Sequence, residues 1–213
     1  FQVNSSTAGD QGPTSVAGLG NGRFVAVWQD NSADAGDIKM RIFQDNGTGT
    51  PVAVASDVTA NTVTLGAQQL PSVAALKGVN DGGFVAVWTD YGVDGQHSTR
   101  GDGSFSGTVI AQRFDANGVK VGGELIVNAT DVDKFNDVAH VVGLRNGGFV
   151  VAWEAGEQVD PSTEIGPDTE DSSIHLRRFN ADGSPASGEI QVNTTGDEYQ
   201  RDPRIGELSN GDL

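Results

Sequence analysis

The residues best suited to chemistry are carboxylates gathered in three stretches that each follow a tryptophan. The most closely spaced of them, which we predict as metal ligands, are Asp30, Asp34, Asp37, Asp90 and Asp94. The third stretch, residues 154–173, is rich in Asp and Glu and contains no Lys or Arg. Oxygen ligands on loops that contain glycine suit Ca²⁺, which takes about six to eight oxygens and tolerates irregular geometry. The sequence therefore predicts Ca²⁺ as the cofactor, and the alternative is that these acids only keep the surface soluble.

Catalytic patterns are weaker in this sequence. The acidic stretches differ from one another, and no G-x-S-x-G nucleophile elbow is present. His97, His140 and His175 share no spacing that would suit a zinc site. We therefore predict no catalytic residues and no active site in this part of the chain. Tyr91 and His97 lie in the second acidic stretch and are predicted as possible ligand contacts.

The acidic stretches recur because the chain is a repeat. The phrases "GNGRFVAVWQDNS", "NDGGFVAVWTDYG" and "RNGGFVVAWEAGE" begin at Gly20, Asn80 and Arg145, roughly 60 residues apart. A similar apolar segment precedes each phrase and two more follow it. Each unit therefore contains four predicted strands, which we letter A to D in chain order, and the acidic stretch joins strand B to strand C.

Strand B predicts how the units pack. Phe84, Ala86 and Trp88 point to one side of the strand and Val85 and Val87 to the other, so both faces are apolar. A strand of this kind is covered on both sides by neighbouring sheets. We accordingly predict that the three tryptophans pack between sheets and do not stack on sugars.

Four-stranded antiparallel units in tandem predict an all-β fold of β-propeller blades, with tandem β-sandwich domains as the alternative. The predicted units are a closing strand of a preceding blade at 1–4, blade 1 at 13–56, blade 2 at 71–128, blade 3 at 137–193 and the start of blade 4 at 202–213. About three and a half blades cannot close a ring, since propellers use about four to eight. We therefore expect either a part of a larger ring or a ring that two chains assemble.

The charge of the chain excludes two classes of binding partner. The formal net charge is −16, from 13 Lys and Arg against 29 Asp and Glu. Such a field repels nucleic acid and anionic lipid, so we predict neither nucleic-acid binding nor membrane insertion. There is no cysteine, and no apolar run is long enough for a membrane helix. The predicted partners are a cell-surface or matrix glycan or protein, or another copy of the chain.

The second unit carries a family resemblance. Its segments "GGFVAVW" and "IAQRFDANGVKVGGELIVN" resemble repeats of very large secreted bacterial proteins, in particular RTX-type adhesins and hemolysin-type calcium-binding proteins. The resemblance implies export from the cell, calcium-dependent folding outside it, and a role in attachment or in a matrix. The sequence lacks the glycine-aspartate nonapeptides of those proteins.

Two classes of function follow from these patterns. The first is a non-enzymatic extracellular binding, adhesion or surface-structural module at the bacterial cell surface, stabilised by calcium. The alternative is the propeller portion of a secreted hydrolase that acts on polysaccharide or peptide.

Overall fold

The computed structural model describes residues 1–32, 36–92, 107–128, 135–156, 172–194 and 200–213. Within these ranges the chain forms antiparallel β-strands and a single turn of 3-10 helix at Gly78–Asn80, which confirms the all-β prediction. The strands are β1 (Gln11–Gly20), β2 (Arg23–Asp30), β3 (Asp37–Gln44), β4 (Val52–Ala53), β5 (Val58–Thr59), β6 (Gln68–Ala75), β7 (Phe84–Asp90), β8 (Thr108–Phe114), β9 (Lys120–Ile126), β10 (Phe135–Gly143), β11 (Phe149–Gly156), β12 (Ser172–Phe179) and β13 (Ile190–Gln191). In the described part of the chain, no helix has the length and apolar character needed to cross a membrane.

The strands form three sheets, each a meander in chain order. The first sheet runs β1-β2-β3-β4, with β5 also paired to β3, the second runs β6-β7-β8-β9, and the third runs β10-β11-β12-β13. We call these sheets blades 1, 2 and 3. The first strands of successive blades contact each other, β1 with β6 and β6 with β10. This is the arrangement of the inner strands in a propeller.

Strand β7 shows what holds the blades together. Its side chains Phe84, Ala86 and Trp88 enter a core shared with blade 1, whereas Val85 and Val87 enter a second core shared with blade 3. The predicted alternation of strand B is therefore confirmed, and each interface between blades is a separate apolar core. Trp88 lies in the first core and Trp153 in the second, whereas Trp28 belongs to neither, although all three are at most 3% exposed.

Each blade is closed by an asparagine that the sequence analysis did not single out. The side-chain Oδ1 atoms of Asn61, Asn128 and Asn193 accept a hydrogen bond of 2.8 Å from the backbone N–H of Ile38, Val109 and Ile174, respectively. These N–H groups lie at or near the start of the third strand, so the bond ties the end of the fourth strand to it. Blade 1 consequently continues beyond residue 56, through β5 to Asn61.

The two ends of the chain repeat contacts that are made inside it. The Arg41 Nη1 atom donates to the Val3 carbonyl at 3.1 Å, and the Arg177 Nη1 atom donates to the Val127 carbonyl at 2.8 Å. Residues 1–4 thus lie against blade 1 as the end of blade 2 lies against blade 3, although they form no regular strand. Near the other end, the Ile205 N–H donates to Nδ1 of His140 in β10 at 3.3 Å.

A bulge near the start of the first strand recurs in all three blades. The register with the second strand shifts between Gln11 and Thr14, between Gln69 and Ser72, and between Asp137 and His140. Two of these bulges hold a residue other than glycine in the left-handed region, Leu70 at φ 54° and Val138 at φ 47°. A β-branched residue rarely adopts this conformation, and strain of this kind concentrates at functional sites.

Candidate functional site

Strands A begin and strands B end at the same edge of every blade, because the two strands are antiparallel. We call this edge the acidic end, and the acids it carries in the strands are Asp30, Asp37, Asp90, Asp137 and Glu154. The predicted ligands that the structure describes, Asp30, Asp37 and Asp90, and the carboxylates described below belong to it.

Asp30 and Asp90 fix the start of the loops that follow them. The Asp30 Oδ1 atom accepts hydrogen bonds from the Gln11 side chain at 3.0 Å and from the Ser32 N–H at 2.9 Å. Asp90 repeats this pattern, with the Gln68 side chain at 2.9 Å and the Gly92 N–H at 2.7 Å. Burial raises the pKa of Asp30, but its hydrogen bonds outweigh that effect and the net pKa lies below the ordinary value.

Asp37 lies at the start of β3. Its Oδ1 atom accepts a hydrogen bond of 2.8 Å from the Asn61 side chain, and its Oδ2 atom lies 3.8 Å from Lys39 Nζ. Asp30 and Asp37 face each other across β2 and β3, while Asp90 occupies the equivalent of the Asp30 position in blade 2. The predicted ligands therefore divide between two blades.

Asp34, Asp94 and His97 lie outside the described residues. Among the residues that are described, no group of three or more His, Cys, Asp or Glu side chains is arranged to hold a metal ion. Calcium binding by the five predicted ligands stays a prediction.

The structure instead brings together two carboxylates that the sequence analysis did not select. Asp137 near the start of β10 and Glu154 near the end of β11 are direct cross-strand partners. Each of these residues is 8% exposed. Partners of this kind have Cβ atoms about 4.5–5.5 Å apart, so the two side chains project from neighbouring positions on one face of the sheet.

Asp137 is held by donors from two blades. The Thr89 hydroxyl of β7 donates to its Oδ1 atom at 2.9 Å, and the Val138 N–H donates to the same atom at 2.8 Å. The Tyr91 side chain also forms a hydrogen bond with Asp137. Burial and the neighbouring acids Asp137 and Glu154 raise the pKa of the Tyr91 phenol, so it stays protonated and able to donate. Tyr91, predicted as a ligand contact, thus lies at the boundary of blades 2 and 3.

Glu154 has a different environment. Burial is the main reason that its pKa is raised; Arg201 acts against this shift, and the negative charges of Asp137 and Asp202 add to it. The Arg201 Nε atom lies 3.8 Å from Glu154 Oε1. A buried carboxyl with a raised pKa beside a second carboxyl is the arrangement that general acid–base catalysis uses.

The sequence contained one signal for this site that alignment of the first strands reveals. The residue at the bulge is Gly12, Gln69 or Asp137 in the segments "QGPTSVAGL", "QQLPSVAAL" and "NDVAHVVGL", and Arg201 aligns with it in "QRDPRIGEL". The segments share an amide side chain at the first position and Leu at the last, while this position changes in charge. Variation at one position of a fixed scaffold is where binding and catalytic residues are found.

Comparison with known proteins gives a likeness of fold. No protein-family model matches the sequence, and no curated protein matches it either. Among solved structures, the chain is similar to the α-L-arabinofuranosidase of Fusarium graminearum in complex with an iminosugar inhibitor. The TM-score is 0.50 at 11% identity, over 85% of this chain and 50% of that chain. The GH93 α-L-arabinofuranosidase of the same organism with arabinobiose gives a TM-score of 0.49 at 11% identity, with coverages of 85% and 50%.

The likeness decides two of the predictions. The chain spans half the length of the arabinofuranosidase, which is a β-propeller, and the predicted propeller fold is confirmed over tandem β-sandwich domains. The prediction of a non-enzymatic stretch without an active site is wrong, since the fold that the chain shares with a glycoside hydrolase points toward an enzyme-related fold. The structural similarity does not test the resemblance to RTX-type repeats, which stays a prediction. At 11% identity it establishes the fold, and the fold is that of a β-propeller.

Proposed function

We propose that the chain is the propeller portion of a secreted glycoside hydrolase in which Asp137 and Glu154 are the two reacting carboxylates. The observation that carries this proposal is the buried cross-strand pair, in which one member has a raised pKa. Most glycoside hydrolases use two carboxyl groups that flank the scissile bond, one as acid and the other as nucleophile or base. The shared fold with an arabinofuranosidase supports the same reading.

The environments of the two carboxyl groups suggest separate roles. Glu154 keeps its proton to higher pH than an ordinary glutamic acid, so it would protonate the glycosidic oxygen of the leaving group. Asp137 accepts hydrogen bonds from Thr89, Tyr91 and the Val138 N–H, which fix its orientation. It would act as the ionised partner, attacking the sugar carbon or activating a water molecule.

The site draws on consecutive elements along the chain. Thr89 and Tyr91 come from blade 2, Asp137 and Glu154 from blade 3, and Arg201 and Asp202 from the segment that follows blade 3. A sugar bound at the acidic end would therefore contact groups from several blades. This dependence on neighbouring blades supports a site formed by the propeller as a whole.

The proposed substrate is a polysaccharide that carries α-L-arabinofuranosyl groups. This is the sugar after which the enzyme with the shared fold is named. The test is release of p-nitrophenol from its α-L-arabinofuranoside and of arabinose from arabinan, with xylan and casein as alternative substrates. We expect Glu154→Gln and Asp137→Asn each to lower kcat by at least about 100-fold, the usual contribution of one acid or base.

The matched control is Asp182→Asn, because Asp182 is an exposed carboxyl in a turn at the other end of blade 3. This variant should keep the parent activity. Equal activity of the parent, Glu154→Gln and Asp137→Asn chains on arabinan would remove the two carboxyls from the mechanism. Cleavage of casein alone would replace the glycosidic substrate by a peptide.

A further inference from the structure

The chain contains five Asn-Gly pairs, at Asn21, Asn46, Asn117, Asn146 and Asn210. All five asparagines are exposed and lie outside the strands. An Asn-Gly pair is chemically reactive, because the glycine nitrogen can attack the asparagine side chain without hindrance from a Cβ atom. Exposure and the Asn-Gly sequence are the same at all five pairs. A difference in their reaction rates must therefore come from the conformation and hydrogen bonding of the backbone.

Four of the glycine nitrogens are engaged as hydrogen-bond donors. The N–H groups of Gly118, Gly147 and Gly211 each donate at 3.0 Å to the carbonyl three residues earlier, on Asp115, Leu144 and Leu208, respectively. The Gly47 N–H donates at 2.9 Å to the Asp45 carboxylate. Each bond must break before the nitrogen can turn toward the asparagine side chain, which adds a free-energy cost to the reaction.

The first pair differs because its turn is shorter. Gly20 and Arg23 are paired residues of β1 and β2, so only Asn21 and Gly22 connect the two strands. Both have positive φ, 50° and 72°, as a type I′ turn requires. In such a turn the closing hydrogen bond belongs to the fourth residue and not to the glycine. Within the described part of the chain, neither the Gly22 N–H nor the Asn21 side chain forms a hydrogen bond.

We propose that Asn21 is a site of spontaneous deamidation and that the other four asparagines are protected by their hydrogen-bonded glycines. The Gly22 nitrogen loses its proton to solvent base and bonds to the Asn21 side-chain carbonyl carbon. The bond from that carbon to Nδ2 breaks, and ammonia leaves. Water then opens the cyclic imide at either carbonyl, which gives Asp or isoaspartate at position 21.

The product alters a contact between strands. The Asn21 carbonyl accepts a hydrogen bond of 2.9 Å from the Gln44 side chain, and the Gly22 carbonyl accepts one of 2.7 Å from the Asp45 N–H. Isoaspartate routes the backbone through the former side chain, which adds one carbon to it and turns the Asn21 backbone carbonyl into a free carboxylate. The modification therefore adds negative charge and changes the link between the first turn of blade 1 and the end of β3.

The experiment is incubation of the folded chain in mildly alkaline, ammonia-free buffer at physiological temperature, followed by peptide mapping by mass spectrometry at acid pH. We expect Asn21 to convert at least about fivefold faster than the other four, the factor that the net loss of one hydrogen bond implies. In denaturant the five rates should converge. The Asn21→Gln variant assigns the fast signal, since glutamine reacts far more slowly.

A second variant tests the protection directly. Asp45→Ala removes the acceptor of the Gly47 N–H and should raise the rate at Asn46 toward that at Asn21, while the rate at Asn117 stays unchanged. The proposal is overturned if Asn21 is no faster than the protected sites in the folded chain. It also fails if the same ranking persists in denaturant, or if Asp45→Ala leaves the Asn46 rate unaltered.

Discussion

Glu154 is the residue whose charge decides what the candidate site can do. Burial raises its pKa, Arg201 opposes the rise, and Asp137 and Asp202 add to it. Its carboxyl group therefore loses its proton at higher pH than an ordinary glutamic acid. A reaction that needs protonated Glu154 should continue to a correspondingly higher pH before its rate falls.

Arg201→Gln removes the positive charge that opposes this shift. We expect the pKa of Glu154 to rise further, so that the alkaline limb of the kcat–pH profile moves to higher pH. A carbon NMR titration of the Glu154 carboxyl should show the same direction. Arg178→Gln is the control, because Arg178 lies on β12 opposite Val150, away from Glu154. A fall in the Glu154 pKa in Arg201→Gln would contradict the assigned role of the guanidinium.

At the scale of elements, the asparagines that close the blades are tested by stability. Asn128→Ala leaves the buried Val109 N–H without its acceptor, and we expect a loss of about 1–3 kcal/mol in the free energy of unfolding. Urea denaturation measures this loss. The control Asn117→Ala changes an exposed turn residue and should stay within about 0.5 kcal/mol of the parent. Equal midpoints for the two variants would show that Asn128 does not tie the strands.

The inner strands are linked by a repeated bond with one titratable member. The hydroxyls of Ser15 and Ser72 accept the N–H groups of Val73 and Val141 in the next inner strand, at 3.2 and 3.4 Å. His140 holds the equivalent place and accepts the Ile205 N–H. A protonated ring would lose the acceptor, so this link exists in the neutral form.

His140 should therefore make the hydrogen bond from the Ile205 N–H sensitive to pH. Burial lowers its pKa, and so does the charge of Arg204. The folded state thus favours neutral His140, and its contribution is complete above the ordinary value of 6.5 and declines as pH falls below it. We expect hydrogen-exchange protection of the Ile205 amide to fall on acidification in the parent but not in His140→Ser. Identical pH dependence in the two chains would exclude His140 as the cause.

At the scale of the whole molecule, calcium is the prediction still to be tested. We expect millimolar Ca²⁺ to raise the thermal midpoint of the chain above its value in EDTA, with little effect of Mg²⁺. When the free Ca²⁺ concentration is about 100-fold above the Kd of a site, binding at that site adds about 2.7 kcal/mol to the free energy of unfolding. The increase should shrink in Asp30→Asn and Asp37→Asn and persist in the Asp182→Asn control. A midpoint that is the same in EDTA and Ca²⁺ would leave these acids without a metal.

The fold could be predicted from sequence because its signals are local and repeated. Alternation around Trp88 is enough to place β7 between two cores. The end of blade 1 was harder, since "PVAVAS" alternates like a strand while the bond that closes the blade is made by Asn61. The carboxylate pair was missed because Asp137 and Glu154 come together through strand register beside a bulge, and register is a property of the folded sheet.

The two-sided packing of β7 has a consequence for how the molecule comes apart. Blade 2 cannot detach without exposing both apolar cores, whereas blade 1 shares only the first core with blade 2. The free energy of unfolding is then a sum of the stability of each blade and of the interfaces between neighbouring blades, as in other repeat proteins. Because the candidate site spans the coupling between blades 2 and 3, damage to that core would be transmitted to the site without any change in its own residues.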